Sequence, residues 1–371
     1  MAPGKPDLAV LASFSGEGGV ERMLVNLLNA FAGRGHRIQL VLIRTRSRHL
    51  QHLDQAIQIL DLGSRHTLTS LWPLMRYLRR YRPPRMLVAK DRAGRLALLA
   101  RLLSGVETPI VLRLGTNLSA ALAQRTGLQR WLRQVPIRLL YSHIDHIVAV
   151  SEGVRQDTLA VSGIDPSRIS VIRNPVVTPR LYELAQQPPA HPWFTPPHPP
   201  IILGAGRLTR QKDFRTLIHA FAKLRQTRPG RLIILGDGRQ KAELQALAEE
   251  LGVAGDLDLP GFTVNPYGYM ALAQLFVLSS RWEGSPNVLT EAMALGTPVV
   301  STDCPSGPAE TLQGGRYGPL VPMGDWRALA EAMAQVLDHP PDRDSLQEAV
   351  REYAVETSAT HYLRRLGLEP G

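Results

Sequence analysis

Short, almost uninterrupted apolar runs punctuate this chain, separated by stretches of helical periodicity. Residues 8–11, 38–43, 86–89, 110–112 and 147–150 form a first series, and 201–203, 232–235, 275–278 and 298–300 a second. A strand without polar–apolar alternation is covered on both faces, as in parallel sheets flanked by helices. Two such series predict two doubly wound α/β domains, each holding ligands at the carboxyl ends of its strands. Between them, residues 187–200 contain seven prolines in fourteen positions. Proline fixes φ and removes a ladder donor, so this stretch reads as a linker. The expected division is 1–186, a linker at 187–200, 201–355, and a last helical stretch at 356–371. The periodicity of 358–366 suits packing on either domain, including a return to the first.

Composition narrows the class. Apolar residues make up 44% and charged residues 20% of the chain, as in globular proteins. The apolar stretch 96–103 is broken by Arg101 and falls short of the ~20 residues a membrane span needs. The first residues lack a basic segment followed by an apolar one, so no secretory leader is expected. The single cysteine, Cys304, excludes an intramolecular disulfide and fits a reducing compartment. These features together read as a cytoplasmic protein.

Charge changes the picture. The net charge is +11, yet residues 1–180 hold 26 Lys and Arg against 11 Asp and Glu, whereas residues 181–371 hold 17 against 21. A basic half suits an anionic partner: nucleic acid, an anionic bilayer or a phosphate-linked substrate. Segments 71–82 and 128–133 interleave arginine with Trp, Tyr and Leu. That composition fits a lipid interface, and equally a helix whose apolar face lies in the core.

The densest chemistry lies at 279–300. A buried strand ends at Leu278, and a loop follows with one carboxylate, Glu283. Ser285 is expected at a helix N-cap and Pro286 at the first helical position, with Gly296 as the stop. Backbone amides at Asn287 and Val288 would then suit a diphosphate, and Glu291 the hydroxyls of a ribose. Upstream, the strand-to-helix loop 204–213 carries two cations, Arg207 and Lys212. Gly236-Asp237-Gly238 and Gly261-Phe262-Thr263-Val264 close two further strands. The first loop, 13–22, contains Gly16, Gly18 and Gly19. Its spacing is not the dinucleotide fingerprint G-x-G-x-x-G, which counts against a dehydrogenase.

The paired glutamates and their surroundings resemble the signature of glycosyltransferase family 4, the bacterial polysaccharide and lipopolysaccharide type. The resemblance runs through most of residues 8–325. It implies the GT-B fold, two Rossmann-like parallel-sheet domains facing a central cleft. By the same resemblance, Glu283 lies near the donor sugar, Glu291 holds the ribose, and Arg207 and Lys212 hold the diphosphate. Gly18 and Gly19 close over the phosphates, and Gly261 and Phe262 line the base pocket. The implied reaction is retaining hexosyl transfer from a nucleotide sugar, by default a UDP-sugar, without a metal or resident cofactor. The implied acceptor is a saccharide or lipid-linked molecule, met at the inner face of the cytoplasmic membrane. Front-face attack is favoured, with Glu283 positioning the sugar; a covalent role for it stays open.

One departure concerns the first domain. Many relatives place a histidine after its central strand, and here that stretch reads Arg113 to Ser119 without one. Arg113 and Asn117 become the acceptor-side candidates, while His143 and His146, just before a strand, read as structural or exposed. The D-x-D pairs Asp256/Asp258 and Asp342/Asp344 read as surface acids rather than metal ligands. Rival readings are a UDP-sugar epimerase of the same fold and a non-catalytic protein binding nucleic acid or membrane. No nucleic-acid reader motif supports a nucleic-acid partner.

Overall fold

The computed structural model describes residues 5–370 apart from 15, 17, 46, 65–67 and 120–126, and no side chains at 68, 128–130 and 133. Among the described residues, the first sheet contains β1 (Leu8–Phe14), β2 (Ile38–Thr45), β3 (Gln58–Asp61), β4 (Met86–Ala89), β5 (Ile110–Leu114), β6 (His146–Ala149) and β7 (Ile169–Val171). All neighbours are parallel, in the order β3-β2-β1-β4-β5-β6-β7. Along β1, Leu8, Val10 and Ala12 sink beneath the helix Gly19–Gly33, whose Leu24, Leu27 and Phe31 share their core. Ala9 and Leu11 point to the other face, among Leu74, Leu78, Ala97 and Ile137. Both faces are dry, which is why the strand shows no polar alternation.

The second sheet repeats the plan with β8 (Ile201–Ala205), β9 (Arg231–Leu235), β10 (Leu257–Gly261), β11 (Leu275–Leu278), β12 (Val299–Thr302) and β13 (Leu320–Val321), in the parallel order β10-β9-β8-β11-β12-β13. In each sheet the order reverses beside the first strand, between β1 and β4 and between β8 and β11. Chains leaving adjacent strands there diverge to opposite faces and open a crevice.

Four strands lie outside the apolar runs: β3, β7, β10 and β13. All four are sheet edges. An edge strand pairs on one side only, so β3 can read Gln-Ile-Leu-Asp and remain largely exposed.

The chain divides into one unit of residues 1–175 with 354–371, and a second of 176–353. This corrects the expected boundaries. The proline-rich stretch is part of the second unit, where His191 bonds Asp258 at 2.7 Å and rings of His191 and Phe194 pack edge-on to Tyr269. Proline excluded a central strand there, but not docking of a rigid extended segment. The helix Val355–Arg365 lies in the first unit, with Ala359, Tyr362 and Leu363 in the core beside the helix Gly19–Gly33. Arg34 fastens it through Glu356 at 2.6 Å and Glu369 at 3.1 Å.

Candidate active site

The switch point of the second sheet brings together two loops that sequence reading treated separately. The loop after β8 carries Lys212, and the loop after β11 carries Glu283. Lys212 Nζ lies 2.6 Å from Glu283 Oε1, and the two side chains are 16% and 8% exposed. Ser280 Oγ donates to the same carboxylate oxygen at 2.6 Å, and Thr302 Oγ1 holds the Ser280 carbonyl at 2.6 Å. The loops are also joined along their backbones. Arg281 N donates to Gln211 O at 2.8 Å, Gln211 Nε2 to Trp282 O at 2.9 Å, and Ser279 Oγ to Lys212 O at 2.8 Å. Asp213 takes Arg281 Nε and Thr216 Oγ1 on one oxygen. The result is a preorganised carboxylate–ammonium pair at the carboxyl end of the sheet, with Arg207 exposed on the same loop as Lys212.

The helix Asn287–Ala294 begins one residue later than expected. Pro286 is itself the N-cap, its carbonyl accepting Leu289 N at 2.9 Å and Thr290 N at 3.3 Å. Ser285 therefore stands outside the helix, and its hydroxyl makes no hydrogen bond among the described residues. Pro286 offers no side-chain cap, and the first-turn N–H groups, those of Asn287 and Val288 among them, are directed along the helix axis toward its N-terminus. Glu291 follows one turn later and is 1% exposed.

The loops after β9 and β10 complete this edge. Asp237 Oδ2 accepts Phe262 N at 3.0 Å, and Gly236 N donates to Gly261 O at 2.8 Å. The Phe262 ring is left exposed. Gly236 is obligatory: its φ is 129°, and a Cβ there would lie 2.1 Å from Gly206 O.

Residues 17–180 match the family described as Glycosyltransferase Family 4, and residues 191–353 that described as Glycosyl transferases group 1. A lipopolysaccharide core biosynthesis glycosyltransferase of Rhizobium meliloti is 31% identical over 369 residues, covering 96% of this chain and 98% of its own. This chain belongs to glycosyltransferase family 4. A Campylobacter jejuni transferase, named for adding N-acetylgalactosamine to a diphospho-undecaprenol-linked sugar, is 30% identical over 71% of this chain and 68% of its own. The Anabaena protein HepE, solved with UDP and glucose, shares the fold at a TM-score of 0.78 and 19% identity, covering 98% of this chain and 99% of its own. The fold is GT-B and the protein a glycosyltransferase.

In this family 4 glycosyltransferase the acids read as surface groups have structural partners. Asp256 pairs with Arg225 at 2.8 Å, Asp258 with His191, and Asp342 caps the helix Arg343–Ala349 through Ser345 N at 2.9 Å. Cys304 is buried, and burial next to Glu283 pushes its thiol up to about 12. Burial of this kind disfavours the thiolate that a nucleophile needs.

The first unit places its own polar cluster at the β1/β4 switch point. Gly18 is the N-cap of the helix Gly19–Gly33, and a Cβ on it would stand 2.8 Å from Glu21 Oε2. Ser15 and Glu17 of this loop lie outside the described residues. Glu21 is buried and pairs with Lys90 Nζ at 2.8 Å. Lys90 follows β4 with φ 77°, a conformation L-residues rarely adopt. Arg113 and Asn117, the acceptor-side candidates, are both buried within the first unit. Arg113 is 1% exposed, donates Nη2 to Asn174 Oδ1 at 2.7 Å, and its pKa is pushed down by burial against the opposing effects of Tyr362 and Glu21. Asn117 is buried and accepts Ser119 Oγ at 2.8 Å. His143 is exposed, and His146, buried, bonds Ser170 Oγ at 2.9 Å.

Sequence reasoning overlooked Glu21, Lys90, Asp213 and Ser280. A signal existed for Glu21, which shares a helical stripe with Leu24, Leu28 and Phe31, where a charge is out of place unless paired.

Proposed function

We propose that this enzyme is a retaining, metal-independent transferase that moves a hexose-type sugar from a nucleotide sugar, a UDP-sugar, to a saccharide or lipid-linked acceptor in lipopolysaccharide or related cell-surface polysaccharide synthesis. The observation that carries this reading is the Lys212–Glu283 pair next to the start of the helix Asn287–Ala294, a cation, a carboxylate and a helix N-terminus gathered at one switch point. The diphosphate rests on the N–H groups near Asn287 and Val288, with Arg207 and Lys212 countering its charge as the C1–O bond breaks. Glu283, fixed by Ser280, faces the sugar and supports the oxocarbenium-like state without bonding to it. Glu291 takes the ribose hydroxyls, and Phe262 with Gly261 flanks the base. The acceptor hydroxyl attacks on the face the diphosphate leaves, giving its proton to a departing phosphate oxygen, so configuration is retained. The relatives named for lipopolysaccharide core and diphospho-undecaprenol substrates, and HepE with its UDP and glucose, support the donor and acceptor classes. The basic first half supports a place at the inner face of the cytoplasmic membrane.

The test is nucleotide release from UDP- and GDP-sugars by wild type, Glu291→Ala and Lys212→Ala, with EDTA and membrane lipid extract as variables. Release selective for one donor, surviving EDTA, stimulated by lipid and abolished in both variants is expected. Failure to bind or turn over any nucleotide sugar rejects the donor site, and epimerised donor without transfer selects the epimerase.

A further inference from the structure

We propose that the outer surface of the helices Leu71–Tyr81, Asp91–Ser104 and Gly127–Tyr141 docks the first unit on an anionic phospholipid bilayer. This rests on the peripheral location proposed above and assigns it to one face. All three helices cover the same side of the first sheet, contributing Leu74 and Leu78, Leu96 and Ala97, and Ile137 and Tyr141 to one core. They are joined to one another. Arg79 Nη2 donates to Leu103 O at 3.0 Å, and Tyr141 Oη to Asp91 Oδ1 at 2.8 Å.

Their outward stripes are not those of ordinary surface helices. Leu99, Leu102 and Leu103 stand exposed at i, i+3 and i+4 of the middle helix, outside the stripe of Ala93, Ala97 and Ala100 that faces the core. Trp131, Leu132 and Leu139 are exposed on the third helix, Leu139 at 65%, and Trp72 on the first at 63%. Seven large apolar side chains thus stand exposed on three adjoining helices, and exposed apolar surface set among charged residues marks an interaction site.

Charge selects the occupant. The three helices hold one acid between them, Asp91, paired with Arg95 at 2.7 Å; Arg101 pairs with Asp145, and Arg76, Arg80 and Arg92 stand exposed. Arginine, tryptophan and leucine on one face match an interface whose headgroups are negative and whose interior is apolar. The exposed guanidinium groups of Arg76, Arg80 and Arg92 reach phosphates while their stems lie along the acyl boundary. A neutral protein partner would leave that charge uncompensated. The sequence pointed to 71–82 and 128–133, but the leucine crest of 91–104 is visible only once its other face is seen in the core.

The experiment is vesicle co-sedimentation of the full chain with phosphatidylcholine alone and with equal parts phosphatidylglycerol. Melting temperature and nucleotide release in lipid-free solution are measured on the same preparations. Wild type is expected to bind the phosphatidylglycerol vesicles and to release from them as salt rises. Leu102→Ser/Leu103→Ser/Trp131→Ser and, separately, Arg76→Glu/Arg80→Glu should each weaken binding at least ten-fold, since each arginine at such a surface contributes on the order of a five-fold factor. Melting and nucleotide release should be unchanged. Wild type left in the supernatant, or both variants binding as wild type does, overturns the proposal. Conversion of a dimer to a monomer by the serine variant, with vesicle binding intact, also overturns it and gives the surface to a second copy. Absent nucleotide release with intact vesicle binding rejects the transferase reading and leaves this surface standing.

Discussion

Lys212→Met removes the cation from the buried pair in the second unit. Taking away one member of such a pair leaves an uncompensated charge, at a cost of about 3–5 kcal/mol. Here Ser280 Oγ still donates to the stranded Glu283 oxygen at 2.6 Å, and the lysine end is 16% exposed, so water can enter. The expected loss is therefore about 2–3 kcal/mol. Glu283→Gln strands the ammonium instead, at about 2 kcal/mol. The double variant contains no charge to strand, so its loss should fall short of the sum by about 2 kcal/mol. In a unit of this size 1 kcal/mol moves the melting temperature by about 2–4 °C, which puts Lys212→Met about 4–12 °C below wild type. Differential scanning calorimetry of the four proteins reads this directly. Strictly additive losses, or single variants melting within about 1 °C of wild type, refute the claim that the pair is one coupled unit. The same proteins carry a functional signature. Glu283→Gln frees the ammonium for a diphosphate and should bind UDP several-fold more tightly by isothermal titration while losing turnover, whereas Lys212→Met should lose both.

Three further outcomes follow from the packing. Burial, with Arg365 and Arg168 nearby, lowers His146 to about 4, below the unfolded value near 6.5. The unfolded chain therefore takes up the proton first; its stabilisation is intact above about pH 6.5 and declines toward pH 4 by up to about 3 kcal/mol. The slope of melting temperature against pH in that window should flatten in His146→Gln, and an unchanged slope would count against it. Gly236→Ala drives a Cβ into the Gly206 carbonyl and should cost at least about 3 kcal/mol, whereas Gly252→Ala, at φ 70° with open space, should cost about 1; equal effects in urea titrations would reject the close approach. Tyr362→Ala empties a fully buried site against Arg113 and should lower stability by about 3–5 kcal/mol, as read by loss of the first unit's thermal transition at a temperature where the second persists.

What was legible in the sequence follows the physics of burial. Interior strands such as β1 and β11 announce themselves because both faces must be apolar. The edge strands β10 and β13 do not, since their pattern is set by one neighbour and by solvent. Glu283 and Lys212 were found through the strand–loop–helix context around each, but their contact was not, because 71 residues of chain separate them and only the β8/β11 adjacency closes that gap. The proline-rich stretch misled because composition reports what a segment cannot form, not what it rests against. The burial of Arg113 was not legible, because a charged residue is usually exposed and its partners Asn174 and Tyr362 are distant in sequence. The one-residue shift at Pro286 is of the size that cap geometry, not residue type, decides.

The first unit is interrupted by the whole of the second, and this has a consequence for synthesis. The face formed by the helix Gly19–Gly33 and β1 stays incomplete until Ala359, Tyr362 and Leu363 arrive. At about 5–20 residues per second, the ribosome takes on the order of ten to forty seconds to make the intervening unit. During that interval an apolar groove on the nascent chain stands open to chaperones and to other nascent chains. The second unit, contiguous in sequence, can finish folding before the first one does.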